Sequence, residues 1–251
     1  MLKKLLTSAL FAGFGAGLIT ALLQISIAVP VILEAELYET GQKVHYAGVV
    51  EMVAPDHIDE HDAEAEANAA SRAAGEVVEP EAPVEGFDWS RNVLTFFSVE
   101  LNFISYALLL VAAMALATRR GVVVNARSGI LWGLAGFAAF SLSPALGLPP
   151  ELPGSVAADL ALRQVWWIGT VIATIIGLAA IGFGKNWLHW GLGILAIALP
   201  HIIGAPHAGS FGGVVPPELQ GEFVGLALAI SAVGWGFLGL FAGHFWGKEA
   251  A

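Results

Sequence analysis

"LLTSALFAGFGAGLITALLQISIAVPVIL", residues 5–33, follows Lys3 and Lys4 and carries no charged side chain. A helix of about 20 apolar residues is long enough to cross a hydrocarbon core about 30 Å thick. The run is far longer than the apolar core of about 7 to 15 residues in a secretory signal. It contains Pro30 and no clean small-x-small cleavage site, so it reads as a retained anchor helix. Runs of the same character follow at about 96–117, 128–148, 165–183, 187–203 and 223–246, the fourth of these being the shortest.

The composition agrees. Of 251 residues, 57% are hydrophobic and 13% charged, against a charged fraction of about 25% in soluble domains, so lipid is the expected solvent. The expected fold is all-α: a polytopic integral membrane helical bundle of about six transmembrane helices with a long acidic exterior loop. Residues 1–33 form the N-terminal span, 34–92 the acidic loop and 93–247 a bundle of about five spans. The chain has no cysteine, which removes disulfides, thiolate metal sites, iron–sulfur clusters and thiol nucleophiles. Any metal site must use His, Asp, Glu, backbone or water. No internal repeat is evident, so an inverted-repeat transporter is not expected from this chain alone.

Orientation follows from the basic residues. A cytoplasmic N-terminus puts Lys3, Lys4, Arg119, Arg120, Arg127, Lys185 and Lys248 inside, against Lys43, Arg72, Arg91 and Arg163 outside, as the positive-inside bias requires. Nearly every acid then faces outward, which accounts for most of the net charge of -10 and argues against a nucleic-acid partner. Gly13-x-x-x-Gly17, Gly129-x-x-x-Gly133 and Gly239-x-x-x-Gly243 place small residues one turn apart, where helix backbones approach closely. A bundle this small is open to partner chains or to a homo-oligomer.

Several side chains are candidates for cation chemistry. In "APDHIDEHDAEAEANAA", residues 54–70, His57 and His61 stand one helical turn apart among carboxylates suited to a divalent ion. The alternative is that the Ala/Glu-rich stretch 62–85 is a solvated stalk; either way the loop concentrates cations near the membrane. Glu100, in "FFSVELNFISYALLL", lies inside an apolar helix, where a central charge costs about 2.5 to 3.5 kcal/mol on insertion scales. It reads as a cation or proton way-station, or else as an interfacial group paired with Arg91 or Arg163. Asn102 and Tyr106 share a face that Glu100 does not.

Glu34 and Glu36, in "PVILEAELYE", either solvate the outer end of the first helix or frame an entrance. His201 and His207, in "LPHIIGAPHAG", are flanked by Pro200 and Pro206, which free backbone carbonyls, and they fit an ion-lining role or an interfacial one equally. His189 and His244 sit beside tryptophans and read as aromatic-belt residues. "SPALGLPPELPG", residues 143–154, reads as a stiff exterior turn. The chain contains no G-x-x-x-x-G-K-[ST], H-E-x-x-H or G-x-S-x-G, and an enzyme is not expected.

"PVILEAELYE", "SPALGLPPELPG" followed by "LALRQVWW", and "LPHIIGAP" together resemble the CbtA family of cobalt transporter subunits. The likeness covers most of the chain outside the acidic loop, and its most specific part is the proline-rich stretch followed by Arg163, Gln164, Trp166 and Trp167. The resemblance implies a multi-pass bacterial inner-membrane protein tied to cobalamin supply, working with a small single-span CbtB-like subunit. It supplies no ligand set. The exterior loop here holds only His45, His57 and His61, which favours transient recruitment of the ion over a tight trap.

The leading expectation is uptake of a divalent transition metal, Co²⁺, carried as cargo with no permanently bound cofactor. Exterior groups gather the ion, Glu100 with His201 or His207 relays it, and Glu34 or Glu36 frames the entrance. Ligand types alone do not select cobalt over its neighbours. The competing expectations are a non-transporting scaffold subunit and a haem-binding electron carrier using His189, His201 or His244.

Overall fold

The computed structural model describes residues 2–45, 88–209 and 212–248; the loop histidines His57 and His61 lie outside these. Among the described residues the chain is helical, and its one β-type pairing is an isolated antiparallel bridge between Ser155 and Gly213. Among the described residues five helices are long and apolar enough to cross a membrane: α1 (Leu2–Glu39), α2 (Trp89–Thr118), α3 (Ala126–Ala145), α4 (Leu160–Phe183) and α6 (Pro217–Lys248). Between the last two lies α5 (Trp187–Ile203), with 17 residues, about 26 Å at 1.5 Å per residue. It runs back along α4 from Gly184 beside His189, past Gly177 beside Gly193, to Trp166 beside Pro200. It therefore covers nearly the depth that α4 covers, giving six described bundle helices of which five are long and apolar enough to cross a membrane, against about six spans expected.

The helices outrun their apolar stretches because polar caps set their starts. The side chains of Asp88, Asn125, Asp159 and Asn186 accept hydrogen bonds from the backbone N–H three residues on, satisfying donors that the first turn leaves unpaired. At Asn125 the cap is reciprocal, since Ser128 accepts from the Asn125 backbone N–H. Two helices are interrupted by a π-helical turn, Gln24–Ala28 in α1 and Ala138–Leu142 in α3. Each turn closes on the residue before a proline: Val29 donates to Gln24, and Ser143 to Ala138, ahead of Pro30 and Pro144. A proline has no N–H to continue the ladder, and the wider turn lies where that ladder is weakened.

The glycine pairs read from the sequence are the helix seams. A Cβ on Gly129 would fall 2.2 Å from the carbonyl oxygen of Gly239, and one on Gly133 would fall 2.9 Å from the Cα of Gly239. The Gly129/Gly133 pair of α3 therefore packs directly on the Gly239/Gly243 pair of α6. Gly13 meets the backbone of Ile104 and Gly17 meets Glu100, joining α1 to α2 in antiparallel register. In the third seam, between α1 and α6, Thr20 faces Gly234, and Lys4 Nζ stands 4.7 Å from the centre of the Trp246 ring. The helices α2, α1, α6 and α3 thus form a row around a core of Ala9, Ala12, Ala16, Phe103, Met114 and Trp235.

The α4–α5 hairpin joins this row chiefly at the C-terminal part of α3. Its outward face is lined by exposed residues such as Ile172, Ile176, Leu192 and Ile194, as suits contact with lipid tails. The antiparallel pairings place Lys3, Lys4, Arg119, Arg120, Arg127, Lys185 and Lys248 at one end of the bundle. Among the described residues every acid except Glu100 lies at the other.

Candidate functional site

At the acidic end two ion pairs hold the extension of α1. Lys43 Nζ donates to Glu34 Oε1 at 2.6 Å, and this hydrogen bond raises the Lys43 ammonium above its usual range. The Arg91 guanidinium takes Glu36 with two parallel bonds of 2.7 and 3.0 Å, the fork geometry that only arginine offers a carboxylate. The first carboxylates read from the sequence as an entrance are thus engaged with cationic side chains of the chain itself. A third pair, Arg163 with Glu151 at 2.8 Å, sits at the mouth of a cavity of about 690 Å³ between α3, α4 and α6. Ser141, Gln164, Trp167 and Ser231 line it below the proline-rich turn.

Gln220 of α6 fastens that turn. It accepts from the Leu152 backbone N–H and the Ser155 hydroxyl, and it donates to the Pro150 carbonyl at 2.7 Å.

His201 is held inside the hairpin junction. Its Nε2 lies 3.2 Å from Ser143 Oγ, which also accepts from Thr174 Oγ1 at 2.9 Å, while the Trp166 ring meets the imidazole edge-on. Trp166 Nε1 donates to the Pro200 carbonyl at 3.2 Å. His207 lies beyond the end of α5 and is exposed. His189 hydrogen-bonds to Asn186, and His244 packs on Phe245, both at the basic end.

Glu100 stands apart from all of these. It is 5% exposed, packed against Gly17 of α1, and neither carboxylate oxygen has a hydrogen-bond partner among the described residues. Arg91 and Arg163, the cations that could have neutralised it, bind Glu36 and Glu151 instead. Asn92, two helical turns toward the acidic end on the same buried stripe of α2, has an equally unpartnered Oδ1 and is 8% exposed. Sequence reading passed over Asn92, although its spacing from Glu100 is that of one helix face.

The structure therefore separates the residues grouped in the sequence. His201 belongs to the hairpin junction, Glu34 and Glu36 to the rim, and Glu100 to the α1–α2 seam. Among the described residues no three His, Asp or Glu side chains gather into a group that could hold a metal ion. An acidic rim on one end and one uncompensated carboxyl inside the bundle suit the attraction and passage of positive charge.

Comparison with known proteins agrees with this arrangement. Neither the curated proteins nor the solved structures contain a match. Residues 2–247 match the family described as "Probable cobalt transporter subunit (CbtA)". With nearly its whole length covered and its all-helical membrane architecture in keeping, this chain belongs to the CbtA family.

Proposed function

We propose that the chain is the membrane-embedded subunit through which a divalent transition metal, cobalt, enters a bacterial cell for cobalamin supply. The carrying observation is the polarity of the bundle: the described acids other than Glu100 ring one end, the basic residues other than the ion-paired Lys43, Arg91 and Arg163 ring the other, and Glu100 is buried between them. With the basic end in the cytoplasm, as the positive-inside bias favours, the rim and the loop holding His57 and His61 draw cations to the outer face. Exposed Glu39, Glu218 and Glu222 add to that field, and exposed His207 adds an imidazole donor. Membership in a family of transporter subunits implies partner chains. Positions where helices of a small single-span CbtB-like subunit or of a second copy could approach exist at Gly169, Gly182, Gly191 and Gly225, where a Cβ would meet nothing within 4 Å.

The test is radiocobalt accumulation by cells producing the wild type, Glu100→Gln or the His57→Ala/His61→Ala pair, matched for membrane abundance. Glu100→Gln abolishes concentrative uptake; the loop pair raises the cobalt concentration needed for half-maximal uptake. Uptake at the wild-type rate by Glu100→Gln would remove that residue from the route.

A further inference from the structure

Resting on that reading, we propose that Glu100 binds the coupling proton and not the metal. In this scheme Glu100 takes up and releases one proton per transport cycle, along a path between α1 and α2 that Asn92 and Gln24 line and the Glu36–Arg91 pair covers.

The donor set decides between proton and metal. A transition-metal ion stripped of water needs several imidazole or carboxylate ligands around it, and no such group surrounds Glu100 among the described residues. On α1, Gly17 faces this part of α2, and the ionisable residues of that helix are Lys3 and Lys4 at its start and Glu34, Glu36, Tyr38 and Glu39 at its end. On α6, Gly234 faces Thr20 and Phe103, with His244 and Lys248 toward the basic end and Glu218 and Glu222 toward the acidic end. On α2 itself the nearest titratable group is Tyr106, whose ring packs on Trp235 and Phe140. The carboxyl also abuts the α1 backbone: a Cβ on Gly17 would lie 2.6 Å from Glu100 Oε2. A proton needs one oxygen and almost no space, and carboxyls inside spans are recurrent members of proton relays.

The path rests on a second observation. Gly13 beside Ile104 and Gly17 beside Glu100 fix the register of α1 on α2, and continuing it toward the acidic end brings Gln24 level with Asn92. Gln24 opens the π turn of α1, and Asn92 Oδ1 is buried there without a partner among the described residues. A buried polar atom of this kind is ordinarily satisfied by water. Asn92 thus stands about 12 Å, two turns of helix at 1.5 Å per residue, above Glu100. Immediately beyond it, Arg91 holds Glu36.

The experiment uses membrane vesicles from cells producing the full chain with whatever it assembles with. Two rates are measured with radiocobalt: accumulation driven by an imposed pH gradient, and exchange against unlabelled cobalt at equal pH on both sides. For Glu100→Gln the ratio of gradient-driven accumulation to exchange falls about tenfold or more, within the range that coupling between two sites commonly spans. The cobalt exchange that remains also loses its dependence on external pH. Asn92→Leu, which blocks the path and leaves the carboxyl in place, lowers the same ratio. Loss of both rates by Glu100→Gln at normal membrane abundance would make Glu100 a metal ligand and overturn the proposal, as would retention of both. If Glu100→Gln fails to reach the membrane, an unchanged ratio in Asn92→Leu overturns it. Absence of exchange in wild-type vesicles would instead remove the transport reading, and the proton site with it.

Discussion

Ser143 shows how much one hydroxyl can organise. It lies on the first residue after a π turn, where its oxygen meets Thr174 of α4 and His201 of α5. Three helices therefore meet at one hydroxyl, on a residue that is 6% exposed. Hydrogen bonds between membrane helices average about 0.6 kcal/mol and reach about 1.7, and Thr174 keeps its bond to the Thr170 carbonyl when Ser143 is truncated. Ser143→Ala should thus lower unfolding stability in detergent by about 0.6 to 1.7 kcal/mol, read as a shifted denaturation midpoint. His201→Ala, which also empties the space beside Trp166, should cost more. The Lys43–Glu34 pair is the contrasting case. The raised ammonium contributes whatever it does below its unfolded-state range, and that contribution disappears as pH climbs through the raised folded-state value. Because both groups are exposed, Lys43→Ala should leave the midpoint unchanged.

At the scale of helices, stability lies in the glycine seams. Gly239 stands against the carbonyl of Gly129 and the backbone of Gly133, so a methyl group there forces the helices apart. Gly239→Ala should destabilise by about 1 to 3 kcal/mol, the usual cost of overpacking. Gly169→Ala, with open space at the same point of its own helix, should stay within about 0.5 kcal/mol; a thermal-shift comparison in detergent separates the two. The glycine spacing was legible in the sequence because it repeats at one helical turn. Which glycine pair meets which was not, because that depends on the order of helices around the bundle. The helix starts were understated for a related reason. Hydropathy marks where a chain is greasy, whereas Asp88 and Asp159 begin their helices in the polar margin. The partners of Ser143 and Gln220 are long-range, and no local pattern announces them.

For the whole molecule, the strongest sequence signal was the separation of charge, which needs only the helix count and the positive-inside bias. Glu100 was legible as an anomaly; its isolation was not, since the rivals Arg91 and Arg163 lay close in sequence or span and only the folded chain shows them taken. The absence of cysteine makes topology directly testable, because each introduced thiol is the only one. In intact cells a membrane-impermeant maleimide should label Gly41→Cys and His57→Cys, while Gly121→Cys reacts only after the membrane is opened. Labelling of His57→Cys only after opening would reverse the orientation and remove the outward-facing collector from the uptake scheme.

The π turn at Gln24–Ala28 sets the phase of everything beyond it in α1. One residue of an α-helix corresponds to about 100° of rotation, so the wide turn works as a built-in angular offset between the membrane half of the helix and its acidic tip. Excising a single residue from this segment would leave composition and hydropathy almost untouched. It would nevertheless swing the Glu36 carboxylate about a quarter-circle around the axis, away from Arg91. The outer latch is thereby encoded in helical phase as much as in the identity of its two charges.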